Sequence, residues 1–439
     1  MAKAQNYLLM PLHGRFLHSR RILCLIRFYV SWQRSLAALN IKTIRKVKLP
    51  MNSQERREAR YQRRKAKREQ RKLERSLQVG TIEDTLSFSE LYKAGKRCCN
   101  GVRWKQSTQN FELHIFSKTA VSARKLQEEK WKPGKCTHFI LNERGKSRPI
   151  DAPQIQDRQV HKAYTKNVLL PLYLPDMIWN NGASLEGKGF DFSKRMLKED
   201  LRHYFRRYGT DGYIILLDFK QFFPSAPHEA LFERHRRLIL DDHLRNIGDI
   251  IVKSNGLSRG MPLGVEPSQA EMIALPSALD NYVKCQLSMK YAGHYMDDYY
   301  IIVPPHIDAK AILKLVIAKA EAIGFTISRS KTKIQPISKP FKYCKAKYTL
   351  TASGKVVVNG NRDGIKRARR KIKAFKPKLE KGLMTYEDLW TSVNGILAYF
   401  EKYNDHNRVL KLRRLFYEIY GFSPERIDAF RKAEAERKV

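Results

Sequence analysis

The sequence predicts an α+β fold built on an antiparallel sheet with helices on one face. One indication is an unbroken apolar run, Tyr213 to Leu217, which is typical of a strand buried on both faces and is followed by Asp218. Another is Tyr295-Met296-Asp297-Asp298, which precedes an apolar run and predicts a hairpin with two carboxylates at or near its tip. Helical patterns complete the order strand, helix, helix, hairpin, helix, strand.

The chain is strongly basic. Its 439 residues carry 85 Lys and Arg against 43 Asp and Glu, a net charge of +42. A solvated surface accounts for a small basic excess but not for a twofold one, so we expect a polyanionic partner. The 6 cysteines follow no disulfide spacing, which indicates reduced thiols in a cytoplasmic protein. Without a run of about 18 apolar residues, neither a transmembrane helix nor a membrane partner is expected.

The stretch 1–50 contains ten Lys or Arg and no acid. Three interpretations compete: a basic arm for nucleic acid, a helix on a membrane surface, or translated upstream sequence with the true start at Met51. The abrupt change of composition at Met51 favours the last of these.

A basic helix is predicted from Asn52 to Gln78, capped by Ser53 and followed by Gly80. Residues 51–75 contain eleven basic and four acidic residues but no continuous apolar stripe. The helix is therefore either solvated or bound to RNA, and the net charge favours RNA. Further helices are predicted between Ser87 and Lys130, and the residues that make them amphipathic are Phe88, Leu91, Tyr92, Phe111, Leu113 and Leu126.

A hairpin with strands 138–141 and 147–150 is predicted next, with Lys146 and Arg148 pointing outward. The predictions that follow are a helix 156–170 ended by Pro171, a loop 182–189, a helix 190–208, a helix 227–240 capped by Ser225, a loop 255–266 and a helix 268–284 interrupted at Pro276. The last predictions are a helix 309–323 capped by Asp308 and ended by Gly324, a strand 325–327, a hairpin 341–349/355–358, a strongly basic segment 362–378, and helices 386–403 and 407–420.

The adjacent carboxylates of Asp297 and Asp298 predict a metal site. Two anions this close repel by roughly 4 kcal/mol at an effective dielectric of about 20. Water or a hard divalent cation offsets this repulsion, and Mg²⁺ prefers carboxylates together with substrate phosphates. With Asp218 at the end of a neighbouring strand, the three carboxylates predict two Mg²⁺ ions, or Mn²⁺ in their place, and phosphoryl transfer.

These residues resemble reverse transcriptases, with Asp218 in the position of motif A and Tyr295-Met296-Asp297-Asp298 in that of motif C. Further motifs follow in family order: Lys146-Ser147-Arg148-Pro149-Ile150, Asp157-Arg158-Gln159-Val160-His161, Gly187-Lys188-Gly189, Gly260-Met261-Pro262-Leu263-Gly264 with Ser268-Gln269, Gly324-Phe325-Thr326 through Lys331-Thr332-Lys333, and Phe341-Lys342-Tyr343-Cys344. The resemblance covers about 137–350, and more weakly extends to Tyr420. It implies RNA-templated DNA synthesis by a right-hand polymerase fold with fingers, palm and a helical thumb.

The resemblance also implies domains and site residues. The domains are a basic tail of uncertain status at 1–50, a basic helix and fingers at 51–170, a catalytic palm at 171–340, and a primer-grip hairpin with thumb at 341–439. The implied catalytic residues are Asp218, Asp297, Asp298 and Lys331, of which the three aspartates hold metal and Asp298 contributes least. The implied nucleotide-binding residues are Lys146, Arg148, Phe219 (through its carbonyl), Phe223, Leu263, Gly264 and Gln269.

Several roles keep an alternative. Lys331 is either a general acid for pyrophosphate or a phosphate contact, and Arg148 either grips the triphosphate or is a charge at a sheet edge. Phe223 either excludes a ribose 2′-hydroxyl or is an aromatic of the palm core. Leu263 stands where many retroviral and intron enzymes have Gln, which resembles the diversity-generating enzymes and predicts low fidelity. Tyr343-Cys344 replaces the usual Leu-Gly of the primer grip.

Among reverse transcriptases, the stand-alone bacterial enzymes are the nearest resemblance. A defence-associated enzyme working on a dedicated non-coding RNA is favoured over diversity-generating and retron types. The expected partners are this RNA, the cDNA product and dNTPs, and a protein partner or a second copy of the chain stays open. Two other functions remain: an RNA-templated RNA polymerase, which would want a smaller residue at Phe223, and a catalytically idle RNA-binding scaffold.

Overall fold

The computed structural model describes residues 52–143 and 145–436. Among the described residues, the chain divides into two units at Arg71 and Lys72. The three interpretations of residues 1–50 lie outside the described residues. Within the described residues, no helix is long and apolar enough to cross a membrane.

Helix α1 (Ser53–Val79) is exposed along most of its length, and Ser76 is its buried residue. The predicted cap is wrong by one residue, because Asn52 rather than Ser53 closes the helix. The Asn52 side chain accepts from the Glu55 amide at 2.8 Å, and the Glu55 carboxylate accepts from the Asn52 amide at 2.9 Å. Each side chain thus satisfies a backbone donor that the first helical turn leaves open.

Short helices form the fingers region, as predicted. They are α2 (Ile82–Thr85), α3 (Phe88–Cys99), α4 (Gln106–Leu113) and α5 (Ile115–Gln127). Ser87 caps α3 by accepting from the Glu90 amide. Phe88 and Leu113 were expected on the buried side, but 39% and 78% of their surface is exposed.

The predicted fingers hairpin is present and longer than expected, with strands β1 (Thr137–Glu143) and β2 (Lys146–Ala152). The helical run after it begins with α6 (Ile155–Tyr164) and does not end at Pro171. A π-helical turn (Thr165–Leu169) leads into α7 (Leu170–Tyr173), where Pro171 lies in the first turn. Pro171, which has no amide hydrogen, comes directly after the π-helical turn, whose last bond runs from the Leu170 amide to the Thr165 carbonyl. Helix α8 (Phe190–Tyr208) has the predicted bounds.

The palm is a four-stranded antiparallel sheet in the order β4-β5-β3-β6. Its strands and helices along the chain are β3 (Tyr213–Asp218), α9 (His228–Leu238), α10 (Asp242–Lys253), α11 (Glu266–Ala274), α12 (Ser277–Asn281), β4 (Ala292–Tyr295), β5 (Asp298–Val303), α13 (Ala309–Ala322) and β6 (Lys333–Pro336). Pro227 rather than the predicted Ser225 precedes α9 as its N-cap. The predicted strand 325–327 is wrong, since only Ile327 makes an isolated bridge, to Phe219, and β6 is the strand that pairs with β3.

Both faces of the palm sheet are covered, which corrects the expectation of helices on one face. Alternate residues of β3 and β5, such as Ile215 and Ile301, belong to a core shared with α9 to α13. The residues between them, such as Ile214 and Ile302, pack instead with Leu197 of α8. Each such fully buried side chain contributes about 1.5–3 kcal/mol relative to exposure.

A second sheet and the thumb complete the chain. The predicted first strand of the 341–358 hairpin is split by a turn at Cys344-Lys345, so three strands form: β7 (Phe341–Tyr343), β8 (Ala346–Leu350) and β9 (Val356–Gly360). The thumb helices are α14 (Arg362–Glu380), α15 (Tyr386–Glu401), α16 (His406–Tyr420) and α17 (Ile427–Glu436). Helix α14 buries Ala368 and Ile372, and it carries nine basic residues between 362 and 378.

Candidate active site

Three carboxylates meet at one end of the palm sheet. Asp218 is the last residue of β3 and lies directly opposite Asp298, the first residue of β5. Directly opposed residues of an antiparallel pair have side chains on the same face, with Cβ atoms about 4.5–5.5 Å apart. Asp297 lies with Met296 in the two-residue turn between β4 and β5. The predicted hairpin with acids at its tip is therefore present.

Burial and mutual repulsion disfavour the charged forms of the turn aspartates. Burial raises the pKa of Asp298 to about 6, and the charges of Asp297 and Asp218 add to this shift. Burial likewise raises the pKa of Asp297, with Asp218 adding to it and Lys331 and Lys146 opposing it. Of these two cations, Lys146 belongs to β2 of the fingers hairpin.

Lys331 contacts this cluster, since its Nζ lies 2.5 Å from Oδ2 of Asp218. The ammonium is about half exposed, while the Asp218 side chain is largely buried. Lys331 lies in the turn before β6. A lysine on a short turn at this position can approach or leave the carboxylates, which suits either of its predicted roles.

The predicted metal site depends on the three carboxylates Asp218, Asp297 and Asp298. The described residues contain no group of three or more His, Cys, Asp or Glu side chains already arranged to hold a metal ion. Asp218 is instead neutralised by Lys331. Carboxylate oxygens are nevertheless the ligands that Mg²⁺ prefers, and a divalent cation would relieve the repulsion among Asp218, Asp297 and Asp298. The three residues therefore fit divalent metal ions by their chemistry, in competition with Lys331.

The predicted nucleotide-binding residues come from two elements that are joined by backbone contacts. Lys146 and Arg148 are exposed on β2. The other end of that strand meets the 255–265 loop, where the Asp151 amide donates to the Leu263 carbonyl at 2.7 Å. A Cβ at Gly264 would lie 2.5 Å from the Asp151 carbonyl oxygen, and φ there is +108°. Contact with β2 thus requires glycine at 264, and its role in nucleotide binding stays a prediction.

Phe223 and Phe219 occupy different environments. The Phe223 side chain is half-buried and meets Phe222 edge-on at 5.8 Å. Its carbonyl accepts from the Met261 amide at 2.9 Å, which fixes its backbone against the loop. The Phe219 ring is 1% exposed and packs on Phe222 and Phe325, so only its backbone can serve a nucleotide.

Gln269 lies in a polar cavity of about 330 Å³ that also includes Arg158, Ser184 and Gly264. The Ser184 hydroxyl donates to Oε1 of Gln269 at 3.2 Å. The cavity brings three predicted motifs together: the helix after the fingers hairpin, the glycine-bearing loop, and the start of α11.

Two lysines with structural or electrostatic effects were missed by sequence reasoning. Nζ of Lys188 donates to the carbonyls of Trp179 and Asn181 at 2.8 and 3.0 Å, and burial lowers its pKa. Lys188 thus links the glycine-bearing loop to the residues before it. No sequence pattern distinguishes a lysine with this structural role from one that contacts phosphate. Lys345 opposes the upward pKa shift of Asp298 from the β7–β8 turn, whose residues Cys344 and Lys345 have φ values of +46° and +61°. Neither residue is a glycine, so the sequence gives no turn signal.

Residues 132–344 match the family model described as reverse transcriptase (RNA-dependent DNA polymerase). The chain contains a reverse transcriptase domain. The match confirms the predicted right-hand polymerase fold and, for this domain, the predicted RNA-directed DNA polymerase class. The predicted domain boundaries and the roles of the individual site residues stay predictions.

Among solved structures, the domain resembles the telomerase from Candida albicans, solved in complex with a TWJ fragment of telomeric RNA, at 12% identity and a TM-score of 0.40. The similarity covers 67% of this chain and 58% of that one, so the chain spans less than two thirds of its length. No curated protein matches the sequence.

Proposed function

We propose that this protein synthesises DNA on an RNA template by two-metal nucleotidyl transfer. The observation that carries the proposal is the register of Asp218 against Asp298, with Asp297 in the adjoining turn, inside a reverse transcriptase domain. Two Mg²⁺ or Mn²⁺ ions bound by these carboxylates would activate a primer 3′-hydroxyl and neutralise the triphosphate.

The remaining residues of the site bind and orient the substrate. Arg148 offers a planar guanidinium that can hold two phosphate oxygens, and Lys146 adds a second positive charge on the same strand. Lys331, which contacts Asp218, would be the proton donor to the leaving pyrophosphate. Phe223 is half-buried and packs against the palm core, where its ring would exclude a ribose 2′-hydroxyl.

The template and its duplex have two candidate basic surfaces. Helix α1 exposes nearly all of its eleven basic residues between 56 and 75. Helix α14 buries few residues and carries nine more. Lys and Arg on long exposed helices bind phosphates with release of counterions, so RNA affinity should fall steeply with salt.

We further propose that the activity serves anti-phage defence in the bacterial cytoplasm, on a dedicated non-coding RNA, with a diversity-generating or retron-type role as the alternative. The basic N-terminal helix and the extended thumb support a structured RNA partner. A protein partner or a second copy of the chain is compatible with the exposed surface of the fingers helices.

The deciding experiment is to purify the full chain and sequence the RNA and cDNA that accompany it. One abundant RNA species with complementary DNA would support the dedicated template. In parallel, extension of oligo(dT) on poly(rA) with dTTP and Mg²⁺ tests polymerisation itself, with EDTA as a control. Incorporation of rUTP but not dTTP would replace the proposal by an RNA polymerase, and RNA binding without either reaction would replace it by a scaffold.

A further inference from the structure

A buried side-chain network lies directly behind the catalytic turn. It consists of Asp280 on α12, His294 on β4 and Tyr299 on β5, each of which is at most 1% exposed. The Tyr299 hydroxyl donates to Oδ1 of Asp280 at 2.5 Å, and Nε2 of His294 lies 3.1 Å from Oδ2. The Tyr299 ring stacks on the imidazole, with centroids 5.2 Å apart and planes inclined by 2°.

The second nitrogen of His294 reaches the turn itself. Its Nδ1 lies 3.1 Å from the carbonyl oxygen of Met296. A carboxylate and a carbonyl oxygen can only accept, so both ring nitrogens donate and the imidazole is positively charged. Burial opposes this charge, but the Asp280 carboxylate outweighs burial and raises the pKa of His294. The network is therefore a buried ion pair that ends on a backbone carbonyl.

That carbonyl belongs to a strained residue. Met296 has φ = +53°, in the left-handed region, which costs a non-glycine residue roughly 1–2 kcal/mol. The same peptide group supplies the amide of Asp297, so its orientation sets the direction of the Asp297 side chain. The other end of the aspartate pair is also held, because Tyr299 follows Asp298 and is anchored on Asp280.

The backbone of His294 is fixed from the opposite side. Its amide donates to the Asn180 carbonyl, and its carbonyl accepts from the Gly182 amide, both at 3.1 Å. These two contacts hold the main chain of β4 against the glycine-bearing loop. The imidazole itself connects Asp280 to the Met296 carbonyl.

We propose that His294 and Asp280 are positioning residues of the polymerase, which hold the strained Met296–Asp297 peptide so that the Asp297 carboxylate is oriented for cation binding. The inference rests on the proposed function, since it assigns the residues that orient its metal ligand. Neither residue touches substrate. Partners that orient a metal ligand from outside the coordination shell commonly change affinity or activity about 10- to 100-fold when they are removed.

The test compares His294→Gln with a matched control, His235→Gln. His235 is equally buried, and both of its ring nitrogens likewise face oxygen atoms. Nδ1 lies 2.7 Å from the carboxylate of Asp249 on α10, and Nε2 lies 2.9 Å from that of Glu271 on α11. Both variants are compared with wild type at a temperature where circular dichroism shows all three folded. The measurements are kcat and KM for dTTP on poly(rA) with oligo(dT), and Mn²⁺ affinity from the electron paramagnetic resonance signal of the free ion.

We expect His294→Gln to lower kcat about 10- to 100-fold and to weaken Mn²⁺ binding by a similar factor, with KM for dTTP little changed. His235→Gln should lower the melting temperature and leave kcat and Mn²⁺ affinity as in wild type. Equal kcat and Mn²⁺ affinity in the two folded variants would overturn the inference. A wild-type chain that makes no DNA, but whose Mn²⁺ affinity still falls in His294→Gln, would refute the proposed function and leave the positioning role standing.

If His294→Gln does not fold, Tyr299→Phe supplies the test. It keeps the ring on the imidazole and removes only the hydroxyl that orients Asp280. A several-fold loss of kcat and of Mn²⁺ affinity supports the positioning role, and wild-type values for both contradict it.

Discussion

The molecule contains two antiparallel hairpins with predicted substrate contacts, and they are held in place very differently. The palm hairpin β4–β5 is buried, and Ile301 and Val303 have no exposed surface. In the fingers hairpin β1–β2 even the apolar residues Phe139, Ile140 and Leu141 are exposed by 47%, 67% and 44%. A strand packed in a core keeps its geometry, whereas a hairpin with little packing opens or shifts at low cost. We therefore expect the palm to set the chemical step and the fingers to set nucleotide binding.

The largest expected effect is at the palm carboxylates. Asp297→Asn or Asp218→Asn should lower kcat by at least about 10³-fold, because metal ions supply several kcal/mol and each 1.36 kcal/mol is tenfold in rate. Affinity for RNA should persist, since the basic helices are untouched. Gel-shift and primer-extension assays on one preparation measure both. Near wild-type polymerisation in either variant would remove these residues from the site.

The fingers hairpin should respond in KM. Arg148→Ala should raise KM for dNTP about 10- to 150-fold, because a hydrogen bond to a charged group contributes about 1.5–3 kcal/mol, and kcat should change less. Lys146→Ala should have a smaller effect, since an ammonium cannot hold phosphate bidentately.

Ser147→Ala is the matched control for the fingers variants. Ser147 lies between the two cations and donates to the Asn142 side chain at 2.6 Å. An equal rise of KM in Ser147→Ala would mean that hairpin rigidity, and not the cations, determines binding.

Phe223 lies where the two regions meet. Phe223→Ala should raise the use of rNTP relative to dNTP about 5- to 150-fold. The reason is that overpacking a tight site costs about 1–3 kcal/mol, and each 1.36 kcal/mol corresponds to a tenfold change in selectivity. Steady-state incorporation of matched dNTP and rNTP pairs measures the ratio. A variant that is slower on both substrates in equal proportion would make Phe223 a core aromatic.

The smallest expected effect is a pH-dependent stability change at His235, in the buried region behind α11. Burial opposes its charge, but Glu271 and Asp249 raise its pKa from 6.5 to about 9. The folded state then binds the proton more tightly than the unfolded chain, so the stabilisation is complete below about pH 6.5 and is lost as pH rises through about 9. The melting temperature of His235→Gln should fall furthest below wild type near pH 6, and this gap should narrow above pH 9. A constant gap would exclude a charged His235.

The sequence predicted the parts of the fold whose signals are local. The Asp-Asp hairpin and the strand before Asp218 are present, and α8 begins and ends at the predicted residues. The strand at 325–327 was wrong because Phe325 and Ile327 favour strands locally, while pairing with β3 is a long-range property. The residues that do pair, Lys333–Pro336, contain Lys, Gln and Pro and carry little strand signal.

The sequence also contains the signal that both faces of the palm sheet are covered. An unbroken apolar run such as 214–217 needs partners on both faces, and α8 supplies the second one. The residues of the site likewise fall into those that a local motif predicts and those that only tertiary packing brings together. Its carboxylates form a short motif, whereas Asp280 lies 14 residues from His294 and meets it only through tertiary packing. A buried pair of this kind carries no spacing rule that one sequence can reveal.

The buried cysteines have a practical consequence for following local unfolding. Cys99 packs with Phe111 in the fingers, and Cys344 lies in the core beside β8. Burial raises the pKa of both thiols, and the reactive form is the thiolate. A thiol reagent should therefore modify each of them only when its own region opens, while the exposed Cys285 reacts from the native state and serves as an internal reference. Mass spectrometry of a labelling time course would then report separately the opening rates of the fingers and of the core around β7 and β8, within one unmodified chain.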